Sequence, residues 1–533
     1  MSNKLIKSGL IVSSMTLISR VLGLVRDIVI ANVMGTGLMA DVFLFANKIP
    51  NFFRRLFAEG AFAQAFVPVL SEYQLKDTQA DQQNQQDEKD KQSRLLIAQV
   101  SGTLGVIVTG VTLFGMLASP LIVMLFGFGW FIDFYNGAPG GEKFDLAANL
   151  LKITFPYLWF ISFAALSGAV LNTMGRFAVA AFTPVLLNVA IISMAIFGAD
   201  YTQSPAHSLA WGVFLGGLIQ FLFQLPFLYK ARMLVRPRWS WHSEGVKKIR
   251  RLILPALFGV SVTQINLLLD TLIASFLITG SISWLYYADR LLEFPLGLFG
   301  IGIATVVLPS LSKLHSNNSP KEFSATLDWG LKVVSLFGWP ALAGLMVLAQ
   351  PIIMVLFMRG EFSQNDVIQV SFALFAYLSG LLSFMFIKIL APGYYARQDT
   401  RTPVKIGIKA MAANMILNLM LAPFLGYVGL ALATTLSATL NAWLLYRGLK
   451  ISGIYQLSAQ TLRFIGKLML SALVMALVVY QVSSEFSAWL EFSFIEQLQK
   501  LIFCITLGAF SYLVMIFLLG VRLKDFKVTV DKN

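Results

Sequence analysis

Apolar runs long enough to cross a lipid bilayer recur along the whole chain, and they constrain its fold more than any other feature. A bilayer core of about 30 Å is crossed by an apolar helix of roughly 20 residues. Only 13% of the 533 residues are charged, whereas 57% are hydrophobic. Soluble domains carry roughly a quarter charged residues, so this chain lacks the charge to cover a soluble surface. The sequence therefore predicts an all-α polytopic membrane protein.

Fourteen segments qualify as transmembrane helices by length and hydrophobicity. They are 8–31, 41–68, 95–125, 147–171, 178–198, 207–229, 252–277, 283–309, 326–350, 366–390, 404–425, 428–449, 462–482 and 498–520. The prediction is fourteen transmembrane helices.

The basic residues between these segments predict how the chain is oriented. Cytoplasmic loops of membrane proteins are enriched in lysine and arginine. When the loops are assigned alternately to two sides, 28 basic residues fall on one side and only Lys143 and Arg359 on the other. The basic side is predicted to be cytoplasmic, and both termini lie on it. This topology also accounts for most of the net charge of +14, so no nucleic-acid partner is expected.

Two long connections on the basic side are expected to lie outside the membrane. The segment 71–94 is rich in Gln and Asp, shows no apolar helical stripe and is predicted to be a flexible loop. The segment 230–251 is basic and contains Trp239 and Trp241. It is expected to lie against anionic lipid headgroups.

A weak internal repeat relates segments that lie six spans apart. An even offset gives both copies the same orientation and predicts two parallel six-helix lobes, 1–230 and 231–455, with two extra C-terminal helices and a tail in 456–533. Transporters built this way hold their substrate between the repeats. The matching pairs are Ala40-Asp41 with Ala288-Asp289, Val67-Pro68-Val69-Leu70-Ser71 with Leu308-Pro309-Ser310-Leu311-Ser312, Phe155-Pro156-Tyr157-Leu158 with Phe375-Ala376-Tyr377-Leu378, and Arg176 with Arg397.

Charged residues inside the spans are the strongest functional signal, because charge within a bilayer is costly. Asp41, Lys48, Arg55 and Glu59 of the second span fall on one face of a helix at 100° per residue. This stripe must face protein or water rather than lipid. Arg54 points to a different side and needs a partner of its own.

The first and eighth spans carry further charges, and two interpretations of them stay open. The arginines could pair with nearby acids and hold helices together. They could instead line a cationic cavity for an anionic ligand, since a guanidinium grips phosphate oxygens with two parallel hydrogen bonds. The excess of arginine over acids in the first two spans favours the cavity. These charges are Arg20, Arg26 and Asp27 in the first span and Asp289, Arg290 and Glu293 in the eighth.

Catalytic chemistry finds little support in the sequence. His207, His242 and His315 all lie in short polar connections, and Cys504 is the only cysteine. No convergent nucleophile or thiolate metal site is present, so the chain is not expected to be an enzyme, and no organic cofactor is expected.

Several motifs resemble the lipid II flippase family (MurJ/MviN type). The most specific is Arg54-Arg55-Leu56-Phe57-Ala58-Glu59-Gly60-Ala61-Phe62. Others are Ser19-Arg20-Val21-Leu22-Gly23 with Arg26-Asp27, Tyr286-Tyr287-Ala288-Asp289-Arg290 with Glu293-Phe294-Pro295, and Ala391-Pro392-Gly393-Tyr394-Tyr395-Ala396-Arg397-Gln398-Asp399. The similarity covers nearly the whole chain and weakens in the last two spans.

The resemblance implies a 14-helix flippase of the multidrug/oligosaccharidyl-lipid/polysaccharide superfamily. Its implied substrate is lipid II, undecaprenyl diphosphate carrying the peptidoglycan disaccharide-pentapeptide, moved from the cytoplasmic to the periplasmic leaflet. Arg20, Arg26, Arg54, Arg55 and Arg290 match the family's cationic cavity and are the expected substrate-binding residues. The acids and Lys48 are expected to orient these arginines or to form gating pairs. Other cell-wall synthesis proteins are further expected partners, besides membrane lipids.

A second set of polar residues suggests a cation site. Asp270 lies in the middle of the seventh span, Asn414 and Asn418 share one face of the eleventh, and Thr434 lies in the twelfth. Carboxylate, amide and hydroxyl oxygens suit Na⁺. The resemblance to the lipid II flippase family points the same way, because some members of that family bind sodium on the corresponding helices. The alternative is that Asp270 is protonated or bonds neighbouring Thr and Asn side chains.

Two rival functions remain from the sequence. An exporter of cationic drugs with the same plan should carry carboxylates, rather than five arginines, in its cavity. A non-transporting membrane scaffold would use its charges only to hold helices together.

Overall fold

The computed structural model describes residues 2–55, 61–75, 82–522 and 525. Within them the regular structure is helical, and no strand is present. The α-helices are α1 Ser2–Met34, α2 Leu38–Arg54, α3 Ala61–Leu75, α4 Gln82–Leu117, α5 Ser119–Phe126, α6 Phe128–Tyr135, α7 Glu142–Thr154, α8 Pro156–Thr173, α9 Phe177–Phe197, α10 Pro205–Lys230, α11 Glu244–Ala274, α12 Ser281–Pro295, α13 Gly302–Ser316, α14 Pro320–Phe357, α15 Gln364–Leu378, α16 Leu381–Tyr395, α17 Arg401–Ile451, α18 Ala459–Val482, α19 Phe486–Glu491 and α20 Phe494–Leu518.

Ten helical stretches in these ranges are long and apolar enough to cross a membrane. The chain therefore has the architecture of a polytopic membrane protein, as predicted. One of the ten, α17, covers two predicted spans. It breaks at Gly426, whose φ of 57° lies in the left-handed region that glycine reaches without a side-chain clash.

The segment 71–94 was expected to be a loop, and this prediction is wrong for its described part. Helix α3 continues to Leu75, and α4 already begins at Gln82. The residues in question are mostly Gln, Glu, Lys and Arg, which are good helix formers even without an apolar stripe. Membrane-spanning helices therefore extend past their apolar ends on this side.

Polar caps set the beginning of several helices. At α15, the Ser363 side chain accepts from the backbone of Asp366, and the Asp366 carboxylate accepts from the backbone of Ser363. Ser493 and Glu496 form the same reciprocal cap on α20. Such caps satisfy donors that have no partner inside the helix. They fix where α15 and α20 start more sharply than the hydrophobic pattern alone.

Two compact units make up the chain, residues 1–280 and 281–533. In the first unit α9 packs on α1 and α10, and α11 packs on α3. Its core includes Phe62, Phe66, Leu166 and Val170. In the second unit α16 packs on α17, and the two last long helices, α18 and α20, pack on α14.

Candidate functional site

Helix α1 holds an ion pair inside the first unit. Arg26 donates to the Asp27 carboxylate from Nε at 3.0 Å and from Nη2 at 2.7 Å. The Asp27 side chain is only 3% exposed, and that of Arg26 is 17% exposed. A buried carboxylate bound through two guanidinium nitrogens fixes the plane of the arginine.

A third residue completes this arrangement. Arg26 Nη1 donates to Asn188 Oδ1 at 3.1 Å, and Asn188 Nδ2 donates to the backbone oxygen of Ser19 at 3.1 Å. Asn188 is a buried residue of α9. It was not among the predicted site residues. The sequence does place the polar amide of Asn188 within the fifth predicted span, which is a signal for a functional residue. Nothing in the sequence connects it to Arg26.

Arg20 differs from Arg26 in its surroundings. Arg20 is exposed and lies two turns before Asp27 on α1. The structure buries Asp27 while leaving Arg20 accessible. An accessible arginine can bind a ligand without first breaking a buried ion pair.

The predicted stripe on α2 faces α11 and the turn that follows it. Lys48 Nζ donates to Thr271 Oγ1 at 3.3 Å, and Arg55 Nη1 lies 3.5 Å from Gln264 Oε1. Asp41 accepts a hydrogen bond of 2.7 Å from the backbone N–H of Gly280. From Asp41 to Arg55 the residue numbers rise along α2, while those of the bonded partners fall from Gly280 to Gln264. The two segments therefore run antiparallel.

This pairing places the three predicted side chains on one face of α2. Asp41 is almost fully buried at 2% exposure, whereas Arg55 is exposed. The stripe thus runs from a buried end to an accessible end. Glu59, its fourth predicted member, lies outside the described residues. Thr271 and Gln264 are partners that the sequence interpretation did not name.

Arg54 points away from this stripe, as the helical spacing predicts. Its Nε donates to Asn51 Oδ1 at 2.9 Å. Arg54 also lines a cavity of about 360 Å³ within the first unit, bordered by α8, α9 and α10. Gln220 and Gln224 lie in the same lining. Their amide nitrogens donate to the backbone and side-chain oxygens of Thr183 at 3.0 and 3.2 Å.

The second unit contains the remaining predicted arginine. Arg290 Nη1 donates to Glu293 at 2.9 Å, and Nη2 donates to Tyr286 Oη at 3.3 Å. The guanidinium also lies 4.9 Å from the centre of the Tyr286 ring. Asp289 is partly buried on the same helix, α12, and Glu293 is exposed. An ion pair this accessible contributes little to stability, so it can exchange partners easily.

The predicted sodium ligands divide between the two units. In the first, Asn266 Nδ2 donates to Asp270 at 3.4 Å, and the buried Asn266 Oδ1 has no partner among the described residues. In the second, Asn418 donates to Asn414 at 3.1 Å, and Asn414 donates to Thr434 at 3.4 Å.

The chemistry of these ligands limits which ion they could hold. The part of the chain that the structure describes has no group of three or more His, Cys, Asp or Glu placed for a metal ion. A cation site built on these residues would therefore depend on amide and hydroxyl oxygens, which suit a hard monovalent ion better than a transition metal.

Comparison with known proteins gives the relationships of the whole chain. The family model of the lipid II flippase MurJ matches residues 30–499. The chain belongs to the lipid II flippase MurJ family. Among MurJ relatives, a probable lipid II flippase MurJ of Vibrio cholerae is 59% identical over 99% of both chains. The lipid II flippase MurJ of Burkholderia cenocepacia is 39% identical over 98% of this chain and 99% of its own.

Solved structures agree with the MurJ assignment. A lipid II flippase MurJ in an inward closed conformation matches with a TM-score of 0.78 at 27% identity, covering 96% of this chain and 98% of that one. An inward-facing multidrug resistance MATE family transporter of the MOP superfamily matches with a TM-score of 0.65 at 15% identity, over 84% and 98%. The MATE likeness shows a shared fold. The chain is thus a multi-pass membrane protein of the MurJ family.

Proposed function

We propose that this protein flips lipid II across the inner membrane by alternating access. The observation that carries the proposal is the full-length match to relatives named as lipid II flippases, with 59% identity over 99% of the chain for one of them. The arginines within the spans supply the chemistry that such a substrate requires. Its headgroup carries a diphosphate, and such charge is costly within the bilayer unless oppositely charged or polar groups accompany it.

The arginines divide into two roles in this proposal. Arg20 and Arg55 are exposed and make the first contacts with the diphosphate. Arg26 and Arg290 are paired with Asp27 and Glu293, and they turn to the phosphates when those pairs open. Arg54 belongs to the same cationic set. Because guanidinium binds carboxylate and phosphate with the same planar geometry, the exchange conserves hydrogen bonds.

Asp41, Lys48 and Asp289 support this exchange by orienting or gating the arginines, and Glu59 is assigned the same role by its place in the sequence. Lys48 bonds Thr271 and Asp41 bonds the Gly280 backbone, which ties α2 to α11 and the following turn. Movement of α11 would therefore change the position of the α2 stripe. That link suits a transporter whose site must become accessible from one side at a time.

The proposed topology has fourteen membrane crossings, two six-helix lobes at 1–230 and 231–455, and two additional helices. Both termini are cytoplasmic, and the headgroup moves from the cytoplasmic to the periplasmic leaflet. The 28-to-2 distribution of basic residues between the two sets of loops supports this orientation.

Sodium coupling is a further part of the proposal. The sequence assigns Asp270, Asn414, Asn418 and Thr434 as the candidate Na⁺ ligands. The unpartnered Asn266 oxygen beside Asp270 and the linked amides of Asn414 and Asn418 support it.

Headgroup flipping in proteoliposomes that contain only this protein and fluorescent lipid II tests the function. The wild type should transfer the headgroup, and Arg20→Ala, Arg26→Ala and Arg290→Ala should each lower the rate at least tenfold. Lys409→Ala removes a basic residue that is exposed on α17 and should keep the wild-type rate.

Arg26→Lys refines the test. It preserves charge without the planar fork, so it should stay well below the wild type. If all three alanine variants flip lipid II at the wild-type rate, the hypothesis of a cationic substrate-binding cavity is wrong. A wild type that transfers no lipid II would favour the scaffold instead, in which the ion pairs only hold helices together.

A further inference from the structure

A basic cavity lies at one end of the first unit, away from the arginines discussed above. It measures about 430 Å³ and is lined by Arg94, Tyr229, Lys230, Arg232 and Leu234. Arg94 comes from α4, and the others come from the end of α10 and the segment after it. None of the five lining residues is acidic. Three cations around one cavity repel each other unless an anion lies between them.

The wall of this cavity is fixed by backbone contacts. The segment after α10 lies along α4, where the Arg238 N–H donates to the Ala98 oxygen at 2.7 Å. This approach requires glycine at position 102, because a Cβ there would lie 2.2 Å from the Arg238 carbonyl carbon. The Arg94 side of the cavity is therefore held against the side formed by Arg232.

Two further details concern the basic side chains of this cavity. Arg94 Nε is buried and has no hydrogen-bond partner among the described residues. Arg232 has a φ of 55°, a left-handed conformation that glycine normally supplies at the end of a helix. An L residue is strained there.

The position of the cavity indicates which anion it meets. The candidate spans Asp90–Leu117 and Pro205–Lys230 share this end, so Arg94 and Lys230 lie at the depth of lipid headgroups. Tyr229 is 73% exposed and Leu234 is 50% exposed. Aromatic and apolar side chains beside basic ones are typical of a membrane interface. A cavity for a free anion would have no need of this apolar border.

A neighbouring aromatic pair extends the same interface. The rings of Trp239 and Trp241 stack with an interplanar angle of 12°, and the Arg250 guanidinium lies 4.3 Å from the Trp241 ring centre. Trp239 is 55% exposed. Tryptophans with cations are common at the headgroup level of membranes, which places the whole segment after α10 in contact with lipid.

We propose that this cavity binds the phosphate of an anionic membrane phospholipid, with Arg94, Lys230 and Arg232 as its ligands. The proposal goes beyond the proposed transport function and does not depend on it. Basic pockets between transmembrane helices are suited to such headgroups. The bound lipid would neutralise the three cations and hold the end of α10 against α4.

Lipid binding to the purified full-length protein tests this site. Titration with dioleoylphosphatidylglycerol in detergent, followed by native mass spectrometry and thermal unfolding, should show saturable binding and stabilisation. The zwitterionic dioleoylphosphatidylcholine should give a markedly smaller shift. Inorganic phosphate at the same concentration should also give a markedly smaller shift, and an equal shift would overturn the assignment to a lipid.

A charge-matched pair of variants locates the site. The triple variant Arg94→Gln, Lys230→Gln and Arg232→Gln should bind phosphatidylglycerol at least tenfold more weakly. Glutamine tolerates the backbone of position 232, because Gln398 adopts a φ of 61° in the same chain. The control triple Lys313→Gln, Lys321→Gln and Lys450→Gln removes the same number of charges from exposed positions outside this segment and should bind normally.

Equal losses in the two triples would overturn the site in favour of a diffuse surface charge. The single variant Lys230→Gln alters only an exposed side chain, so it keeps the test decisive if the triple does not fold. It should weaken binding several-fold, and unchanged binding in a folded Lys230→Gln protein would count against the proposal.

Discussion

Asn188 on α9 holds Arg26 of α1 through a hydrogen bond of 3.1 Å between the amide oxygen and Nη1. Together with the Asp27 carboxylate, it determines where the guanidinium points. Asn188 also bonds the Ser19 backbone, so it links the position of Arg26 to the packing of α1 on α9. Asn188 therefore acts as a positioning residue for the proposed substrate site.

Replacing Asn188 should reduce transport while leaving the protein folded. Asn188→Ala removes two hydrogen bonds, which costs about 1–2 kcal/mol of unfolding free energy. It should lower lipid II flipping by roughly tenfold, equivalent to about 1.4 kcal/mol, because Arg26 loses its orientation. Asn188→Asp should restore neither property, because a carboxylate cannot donate to the Ser19 oxygen and would compete with phosphate for Arg26.

Flipping rates in proteoliposomes and melting temperatures in detergent separate these effects. Ser193→Ala changes an exposed polar residue of the same helix and serves as the control. If Asn188→Ala flips lipid II at the wild-type rate, Arg26 does not need Asn188 for its role.

Cysteine labelling tests the proposed orientation. Cys504 is fully buried, and its replacement by Ala gives a background without reactive thiols. Arg236→Cys should react with a reagent added from the cytoplasmic side only, and Asn136→Cys from the periplasmic side only. Both positions are exposed, so access depends on topology rather than burial. Periplasmic labelling at position 236 would contradict the orientation.

Sodium should stabilise the purified protein if the proposed cation site exists. A ligand that binds only the folded state raises its stability by mass action. The melting temperature should therefore be higher in Na⁺ than in K⁺ or choline at constant ionic strength. Asp270→Asn and Asn418→Ala should each weaken this effect, whereas Asn365→Ala, at an exposed position on α15, should not. A melting temperature insensitive to the cation in the wild type excludes the site under those conditions.

Asp328 should be important for the attachment of α18. Thr461 Oγ1 donates to Asp328 Oδ2 at 2.9 Å, and the Tyr455 hydroxyl donates to Oδ1. Burial raises the pKa of Tyr455, and the adjacent carboxylate raises it further, so the tyrosine stays protonated as a donor. Asp328→Ala should cost about 1–3 kcal/mol of unfolding free energy, because it leaves these donors unsatisfied.

Glu322→Ala provides the matched control for Asp328, because Glu322 is an exposed acid on the same helix, α14. Thermal unfolding in detergent measures both variants. Equal melting temperatures for the two would show that the Asp328 hydrogen bonds contribute no net stability.

A carboxylate just before α17 predicts a pH effect. The Asp399 carboxylate accepts from the Thr402 N–H at 3.0 Å, and hydrogen bonds from Thr402 lower the pKa of Asp399. A carboxyl group with a lowered folded-state pKa stabilises the protein above its unfolded value of about 3.9. That contribution is lost as the pH falls through the folded-state pKa. Asp399→Ala should therefore melt below the wild type at pH 6, with the gap narrowing toward pH 3. A gap independent of pH would mean that the carboxylate charge is not involved.

The sequence by itself determined the membrane class and the charges that lie within its apolar segments. These follow from local rules, since lipid demands apolar runs of a minimum length and a helix repeats every 3.6 residues. The shared face of Asp41, Lys48 and Arg55 was predictable for that reason. In 71–94 the helix-forming polar residues were the local signal for a helix. The segment was nevertheless predicted to be a loop because it has no apolar stripe.

Only the tertiary structure decided which groups these charges meet. Arg26 and Asn188 are 162 residues apart in the chain, and Lys48 and Thr271 are 223 apart. Their meeting depends on how α1 packs on α9 and how α2 runs against α11, which no local periodicity encodes. The basic cavity at Arg94 likewise exists because a backbone segment lies against Gly102. Such contacts are fixed by the complementary shapes of whole helices, so they appear only when the chain is packed.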